Sequence, residues 1–529
     1  MLKNECMKRY NKGIICLLAG AAMFAACQDD WDAHYDLNGS VPRVSLMDLL
    51  HNDASLSAFT QIVEEVGVDS LLASSQTYTV WAPVNEALAD VDMTDRDALV
   101  RLVSNHVARY TNPTSTEPGK YIYMLNGKRM AYDGSGLFNG TAIEEGNERA
   151  MNGVLHKLSD TIPYRYNFLE YISVFPEYSK VYEFISRFVE KRYDASASVG
   201  TDSVFVDYNP MLYDWKYGIG HIDDEDSLYT MILPDNDAWD KAYAHISPYF
   251  ATYNADPVLA DSIQMVQTGQ AILNGLTFRG RMDDPASRDS LVTITGNVIH
   301  ETGRYFAPYT KVEGSNGLMY LAKGDLVLDD TCTWNHEIVV EAEDLNGRVT
   351  NTSTSVYVRN TDVTSAVQGV SNNSYLEVSN ASGTAEVTFE IPQVLAGKYD
   401  VYVDFVPPVI DGVALAEEKT RLEFRLNYPL LDKDDEGRVE RKEDDDPELI
   451  VGGDSVGDNK VKSLKLWSAL QLPAANYYDG MWWTDEEHSQ DDVDVRTTFR
   501  IRTNVKNTEV NVKYRRRFRI DCIRFVPVP

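Results

Sequence analysis

The sequence predicts a multidomain α+β protein in which two copies of one α/β unit are followed by an antiparallel β-sandwich. Two repeated motifs predict the duplication: YTVWAPVNEAL at 78–88 reappears as YTMILPDNDAW at 229–239, and GVLHKL at 153–158 reappears as NVIHET at 297–302. Order, spacing and chemistry rarely repeat together by chance, so the first two-thirds of the chain is predicted to be a tandem repeat. The sandwich is predicted by a change from helical to alternating periodicity near residue 336.

A helical pattern precedes each copy of the first motif. Apolar residues spaced three and four apart are typical of a helix that buries one face. The first such stripe consists of Leu56, Phe59, Ile62, Val63 and Val66, and the second of Val181, Phe184, Ile185, Phe188 and Val189.

The repeated unit resembles the fasciclin-like domain, whose members share a strand–Pro–Asn turn, a central histidine segment and a closing strand that contains Asn-Gly-Val and His. In the first copy these elements are residues 79–86, Asn105-His106-Val107 and residues 152–156. The resemblance places one fasciclin-like domain at 43–163 and a second at 164–330. It implies adhesion or scaffolding and no catalysis.

The second copy follows the pattern less closely. Its persisting residues are Pro234, Asn236, Val298 and His300, which matches the NVIHET segment to the closing strand. The stretch that corresponds to the central histidine, residues 271–276, contains no histidine.

The C-terminal third, residues 335–529, shows short alternating strands separated by Gly, Asn, Ser and Asp clusters, which is typical of an antiparallel sandwich of the jelly-roll kind. The predicted strands are 385–391, 399–405, 421–426 and 517–526. The segments 338–344, 397–403 and 520–525 together resemble family-6-type carbohydrate-binding modules and their galactose-binding-like relatives. An acidic insertion at 406–496 departs from that pattern.

This resemblance implies a structural calcium ion held by Glu341 and Glu343 of the opening strand and Asp521 of the last strand. Calcium prefers several hard oxygen ligands, so these carboxylates suit it. The alternative is that all three are ordinary strand carboxylates.

A second set of calcium candidates lies in the acidic stretch 432–443. Asp432, Asp434 and Glu436 occupy positions one, three and five of a twelve-residue calcium loop, and Glu443 occupies the closing position. The flanking sequences are not helical, which favours a solvated acidic loop over a metal site.

Aromatic residues at 477–483 are the candidates for sugar binding, because flat pyranose faces stack on aromatic rings. The cluster consists of Tyr477, Tyr478, Trp482 and Trp483, in a stretch that also contains Asn, Asp and Gly. The alternative is that these rings pack the insertion onto the sandwich.

The N-terminus predicts export and lipid anchoring. Four basic residues precede an apolar run of signal-peptide length from 14 to 26, which ends in Phe24-Ala25-Ala26-Cys27. This resembles a lipoprotein processing site, with residues 1–26 removed, Cys27 lipidated and 27–42 serving as a linker. Acidic residues directly after the cysteine resemble a surface-export signal, so we expect an outer-membrane lipoprotein that faces the cell exterior. An ordinary secretory signal is the alternative.

Composition narrows the function. The 529-residue chain has a net charge of −32, and removal of residues 1–26, which hold four basic residues and one acidic residue, leaves −35. So acidic a surface repels phosphates, which argues against nucleic-acid binding. Outside the signal and Cys27, only Cys332 and Cys522 remain, and they either form a disulfide or are free thiols.

No catalytic motif is present, so we expect a binding protein and not an enzyme. The first hypothesis is glycan capture by the sandwich, as an accessory to an outer-membrane polysaccharide-uptake system with transporter components as partners. The second is an adhesion or assembly protein that binds a protein partner through the fasciclin-like domains. A hydrolase with an unrecognised site is the third.

Overall fold

The computed structural model describes residues 42–198, 203–214, 218–254, 256–413, 418–435, 439–452, 460–476 and 495–529. The chain divides into two compact units, Met1–Arg165 and Tyr166–Pro529. Among the described residues, none of the helices combines the length and the apolar character that crossing a bilayer requires.

The first unit packs helices on one mixed sheet. Its helices are α1 (Leu46–Asn52), α2 (Ser57–Val66), α3 (Asp69–Leu72) and α4 (Arg96–His106). Its strands are β1 (Tyr78–Pro83), β2 (Val107–Arg109), β3 (Tyr121–Tyr123), β4 (Arg129–Ala131), β5 (Leu137–Phe138), β6 (Thr141–Ala150) and β7 (Gly153–Leu158). The sheet order is β2-β1-β7-β6-β5, and β3 and β4 form a separate hairpin.

The predicted apolar stripe of the first copy forms α2 and the turn before it. Phe59, Ile62 and Val63 are fully buried in the core beneath the sheet. β1 is buried along its whole length, as expected for a central strand with one parallel neighbour. Sequence periodicity therefore located the helix, and the repeated motif located the strand.

The second unit begins with a helix-and-sheet domain built in the same way. Its helices are α5 (Phe168–Val174), α6 (Ser179–Ser186), α7 (Pro210–Tyr213), α8 (Asn236–Ile246), α9 (Pro257–Asn274), α10 (Thr302–Phe306) and α11 (Asp330–Thr333). Its strands are β8 (Glu190–Tyr193), β9 (Phe205–Tyr208), β10 (Tyr229–Pro234), β11 (Thr277–Arg279), β12 (Ser290–Val292), β13 (Val298–His300), β14 (Thr310–Gly314) and β15 (Gly317–Ala322). The sheet order is β11-β10-β15-β14, with hairpins β8–β9 and β12–β13 outside it.

The register of the central strands reveals which segments correspond. β1 pairs in parallel with β7 from Tyr78 opposite Gly153, and β10 pairs in parallel with β15 from Tyr229 opposite Gly317. The closing strand of the second copy is therefore 317–322. The expectation that NVIHET supplies this strand was wrong, because His300 ends β13 in a peripheral hairpin.

Buried asparagines confirm this correspondence. Asn152 accepts a hydrogen bond from Leu46 N and donates to Leu72 O at 2.7 Å. Asn316 accepts from Phe168 N and donates to Ile222 O at 2.8 Å. Each amide joins the first helix of its copy to the closing strand.

The central segments also correspond as expected. Arg109 of β2 lies opposite Tyr78, and Arg279 of β11 lies opposite Tyr229. Counting back from these pairs puts Leu276 at the position of His106, which confirms that the second copy lacks the central histidine.

The C-terminal part contains two antiparallel sheets around one core. The strands are β16 (Ile338–Glu341), β17 (Arg348–Thr350), β18 (Ser355–Asn360), β19 (Ser374–Ser379), β20 (Glu386–Ile391), β21 (Gly397–Phe405), β22 (Lys419–Lys433), β23 (Val439–Gly452), β24 (Lys462–Leu472), β25 (Thr497–Thr503) and β26 (Arg517–Val528). The first sandwich sheet has the order β18-β19-β26-β21-β24, with β16 also paired to β26. The second sandwich sheet has the order β17-β20-β25-β22-β23.

The segment 406–496 is not an insertion outside the sandwich. Its strand β22 contributes Leu422, Phe424 and Leu426 to the common core, and its strand β24 pairs with β21. Along β22, polar residues that face outward alternate with apolar residues that are buried.

The second copy and the sandwich belong to one unit and contact each other through residues 249–253. Ala396 N donates to Tyr249 O at 2.8 Å, and Ala475 N donates to Ala251 O at 2.7 Å. Tyr253 packs with Val495 and with Val439 of β23. We call this contact the junction.

Cys332 and Cys522 are free thiols and do not form a disulfide. Cys522 is buried on β26, where its Sγ donates to Asp404 at 3.4 Å. Burial among carboxylates raises the pKa of Cys522.

Candidate functional site

Several predicted site residues lie outside the described residues, namely Cys27, Glu436, Tyr477, Tyr478, Trp482 and Trp483. The described residues that flank the aromatic stretch are fixed at the junction. Asn476 Nδ2 donates to Ile391 O at 2.8 Å, and Val495 packs on Tyr253.

The three carboxylates of the first calcium prediction all lie around one turn of the sandwich. Ser371 N donates to both oxygens of Asp521, at 3.0 and 3.2 Å, and Ser371 Oγ donates to Glu341 Oε2. Asn372 Nδ2 contacts Glu343 Oε1 at 3.4 Å. Strand pairing of Glu341 opposite Cys522 brings the opening and last strands together.

The electrostatics of this turn suit a cation. Burial, followed by the charges of Glu341 and Asp404, raises the pKa of Asp521 to about 7. Burial also raises the pKa of Glu343, whose Oε2 is buried without a hydrogen-bond partner in the described part of the chain. Within the described ranges no three His, Cys, Asp or Glu side chains form a closed metal-binding group. The donor types and the orphaned oxygen fit calcium, although the side chains are turned toward residues 371 and 372.

The first and last residues of the second calcium prediction lie on two paired strands. Asp432 and Glu443 belong to the paired strands β22 and β23, and Glu443 lies opposite Asn427. Asp432 is five residues from Asn427 along β22, which corresponds to roughly 17 Å. Glu443 instead accepts from Arg425 Nη1 at 2.7 Å. The structure therefore does not bring Glu443 together with Asp432 and Asp434.

A polar platform covers the outer surface of the second sandwich sheet. Along β20, β22 and β25 its members alternate with buried core residues, so their side chains point away from the core, and its β23 members pair with those of β22. We call it the polar face, and its residues are Glu386, Thr388, Glu390, Glu423, Arg425, Asn427, Glu443, Asp445, Thr498, Arg500 and Arg502.

Arg500 lies at the centre of the polar face. It is opposite Thr388 on one side and opposite Arg425 on the other. Arg425 is engaged by Asp445 at 2.6 Å and Arg502 by Glu423 at 2.6 Å, whereas the one ion pair recorded for Arg500 among the described residues is Glu386 at 4.0 Å. Arg500 and Arg425 carry like charges directly opposite each other, which is an unfavourable arrangement. Arg500 is half-buried, and its guanidinium has more N–H donors than this single ion pair uses.

The fasciclin-like first unit exposes three tyrosines around β2 and β3. Tyr110 and Tyr121 are 74% and 62% exposed, and Tyr123 is also exposed. A bridge between Ala108 and Met124 joins the two strands that carry them. We call Tyr110, Tyr121 and Tyr123 the tyrosine surface.

Tyr110 is held in an unfavourable backbone conformation. Its φ is +67°, a region that costs non-glycine residues energy. Tyr110 N donates to Thr77 O at 2.9 Å, and Thr79 Oγ1 donates to Tyr110 O at 2.7 Å, so these bonds maintain the strain. Such positions concentrate at binding surfaces.

The two histidines on the repeat elements of the first unit hold the domain together. His106 donates from Nδ1 to Leu102 O at 2.7 Å and accepts from Ile162 N at 2.9 Å. His156 donates from Nε2 to Asn112 O at 3.0 Å and accepts from Asn147 N at 3.2 Å. Burial lowers the pKa of each to about 4, so both are neutral at physiological pH. Both histidines therefore form hydrogen bonds within the domain.

Comparison with known proteins agrees with part of this architecture. Residues 54–163 match the Fasciclin domain family. Human periostin is 20% identical over 274 residues, an alignment that covers 50% of this chain but 31% of periostin.

Two solved structures resemble parts of the chain. A FAS1 domain pair from the insect cell adhesion molecule fasciclin I covers 53% of this chain and 98% of its own, with 13% identity and a TM-score of 0.19. A CBM22-2 xylan-binding domain from Paenibacillus barcinonensis covers 36% of this chain and 98% of its own, with 12% identity and a TM-score of 0.22.

Proposed function

We propose that this chain, whose residues 54–163 form a fasciclin domain, is a non-catalytic cell-surface protein that captures a polysaccharide through its C-terminal sandwich. The observation that carries the proposal is Arg500, a half-buried guanidinium at the centre of an open polar face, with its nearest recorded carboxylate 4.0 Å away. The fasciclin-like pair then serves as a spacer or docking unit.

The chemistry of the polar face suits a sugar chain. Sugars present many hydroxyl groups, and they are recognised by a few convergent polar side chains that fix their orientation. Arg500, Thr388 and Thr498 offer donors and acceptors on adjacent strands. The aromatic residues at 477–483, which the sequence predicts to bind sugar, would add a stacking surface. The described residues on either side of this stretch lie next to the end of β20 and the start of β25.

The cellular role follows from the N-terminal prediction. We propose that Cys27 carries a lipid that holds the protein on the outer membrane, facing outward, as an accessory to a polysaccharide-uptake system with transporter components as partners. Membrane fractionation of wild type and Cys27→Ala tests the anchor, because a variant that stays in the membrane fraction contradicts it.

The direct test is retardation of the chain from residue 28 to 529 by a panel of neutral and acidic polysaccharides in native gels. Retention by one polysaccharide class supports the proposal. Uniform mobility across the panel contradicts it and favours the second candidate function described below.

We further propose that Glu341, Glu343 and Asp521 hold a structural calcium ion, which would neutralise carboxylates that are otherwise buried together. Asp521→Asn is expected to raise the melting temperature of the calcium-free protein and to abolish the shift caused by calcium. Because the folded pKa of Asp521 is raised, its charge costs stability, and this cost grows as the pH rises from about 4 through 7. The amide removes that cost, a gain of about 1–3 kcal/mol at pH 7.5.

Thermal unfolding in excess chelator and in millimolar calcium measures both effects. Glu390→Gln, a carboxylate on the polar face away from this turn, is the matched control and should keep the calcium shift. A calcium shift that persists in Asp521→Asn, or that is missing in wild type, would refute the site.

The second candidate function is adhesion or assembly through a protein partner on the fasciclin domain, and the tyrosine surface favours it. Tyrosine and arginine dominate the energetics of protein interfaces, and Arg129 lies 5.5 Å from the Tyr121 ring. The double change Tyr110→Ala and Tyr121→Ala is expected to reduce partner attachment about tenfold, measured as adhesion of protein-coated beads to the partner surface. Because both rings are exposed, the melting temperature should stay constant. Tyr193→Ala, an exposed tyrosine of the second copy, is the control.

A further inference from the structure

The edge strands of the sandwich differ in how they are protected against pairing with another chain. Proteins blunt exposed edges with short strands, charged residues, prolines or bulges. β16 and β17 have only 4 and 3 residues. β23 carries a run of charged residues from 440 to 446 followed by Pro447, and β24 carries Lys462 and Lys465 and a bulge against β21.

β18 lacks most of these devices, and Arg359 is the one charged residue among its six residues. It has six residues, SVYVRN, without Pro, Lys or an acidic residue, and it pairs with β19 along its whole length without a register shift. Tyr357 and Val358 are 48% and 47% exposed. Val349 of the neighbouring edge and Val363 beyond the strand are also exposed, so exposed apolar side chains extend along this side of the sandwich.

Hydrogen-bonded and non-hydrogen-bonded residue pairs alternate along β18 and β19, and this alternation determines which N–H and C=O groups of β18 face the open edge. Thr361 N donates to Asn373 O at 2.8 Å. Hydrogen-bonded pairs recur at every second residue of an antiparallel ladder, so Tyr357 and Arg359 bond toward β19. Val356, Val358 and Asn360 therefore turn their N–H and C=O groups to the open edge.

We propose that β18 pairs antiparallel with β18 of a second copy of this chain, about a two-fold axis at Val358. In that register Val358 meets its own equivalent as a hydrogen-bonded pair. Tyr357 of each copy then lies opposite Arg359 of the other. The pair is chemically complementary, since the Arg359 guanidinium already lies 4.9 Å from the Tyr357 ring within one copy. The strand is thus self-complementary through the pairing of Tyr357 with Arg359 of the other copy.

The proposed contact joins the first sandwich sheet of one copy to the first sandwich sheet of the other, which gives one continuous sheet. The small area of this contact places it among weak, transient contacts, so we expect the dimer to form only at micromolar or higher protein concentrations. Because each chain is strongly acidic, screening by salt should strengthen the association. This pairing is independent of glycan binding and uses the opposite sheet from the polar face.

The test is sedimentation velocity of the chain from residue 28 to 529 across that concentration range in moderate salt. Wild type should shift from monomer to dimer, and Val358→Lys should remain monomeric, because it places two ammonium groups at the axis. Val512→Lys, at a valine that is 83% exposed elsewhere on the sandwich, is the matched control and should still dimerise. Circular dichroism melting shows that both variants are folded.

A cross-link supplies the second, geometric measurement. The two residues of a hydrogen-bonded antiparallel pair have Cα atoms about 5.5 Å apart. A disulfide can span this distance. In a Cys332→Ser background, Val358→Cys should give a covalent dimer on a non-reducing gel under mild oxidation, and Val356→Cys should not. Three results would overturn the proposal: wild type stays monomeric at the highest concentration, the Val358→Lys variant dimerises, or the two cysteine variants cross-link equally.

Discussion

Arg500→Ala is expected to weaken polysaccharide binding at least tenfold while leaving the melting temperature within about 2 °C of wild type. The loss follows from removing the central donor of the polar face, since hydrogen bonds to charged groups contribute about 1.5–3 kcal/mol each. The small effect on stability follows from the position of Arg500 opposite Arg425, because the substitution also removes a like-charge contact.

The measurement is isothermal titration calorimetry with the polysaccharide that the panel identifies. Arg500→Lys should retain part of the affinity, since lysine keeps the charge but loses the planar fork. Arg304→Ala, an exposed arginine of the second copy, is the matched control and should bind as wild type does.

A second pair of substitutions separates the polar face from the predicted aromatic residues. If Arg500→Ala binds normally while Trp482→Ala with Trp483→Ala does not, the sugar site lies in the stretch 477–494 and the polar face is a solvated surface. Normal binding by both variants contradicts the sandwich as the capture domain.

The second large effect concerns the glycine at the start of each closing strand. Gly153→Ala and Gly317→Ala are each expected to destabilise their own copy by more than about 3 kcal/mol. A Cβ at either position would lie 1.9 Å from a carbonyl oxygen of the parallel partner strand, Tyr78 O or Tyr229 O. The φ angles of +150° and +148° add backbone strain that only glycine avoids.

Differential scanning calorimetry should show one transition moved to lower temperature in each variant, and a different one in the two cases. Gly303→Ala is the matched control in the second copy, because its nearest atom is 3.5 Å from the added Cβ and its φ is ordinary. An unchanged profile for Gly317→Ala would contradict the assignment of residues 317–322 as the closing strand.

The sequence pattern was sufficient to predict a helix or strand where the residues of that one element show a clear hydrophobic periodicity. The stripe Phe59, Ile62 and Val63 predicted α2, and the alternation around Tyr399 predicted β21. The histidine of NVIHET pointed to the wrong segment for the closing strand of the second copy, because the feature that the two closing strands share is the Asn-Gly pair at 152–153 and 316–317. The amide and the glycine are required by tertiary contacts, and the histidine is not.

The sequence likewise predicted some residues of the candidate sites and missed others. Glu341, Glu343 and Asp521 were predicted together from a resemblance and do lie around one turn. The spacing of Asp432 and Glu443 predicted a calcium loop, but spacing along the chain says nothing about Arg425 on the neighbouring strand. Arg500 had no signal at all, since its surroundings come from β20 and β22, far away in sequence.

The sequence by itself predicted the duplication and determined the helices and strands with clear periodicity and the acidic character that argues against nucleic-acid partners. Those properties depend on residues close together in the chain or on composition. Only the tertiary structure decided that 317–322 closes the second copy, that β22 and β24 belong to the sandwich, and that Arg500 and the edge of β18 lack close partners in the described chain. Each of these depends on which strands pair, and strand pairing joins residues that the chain keeps far apart.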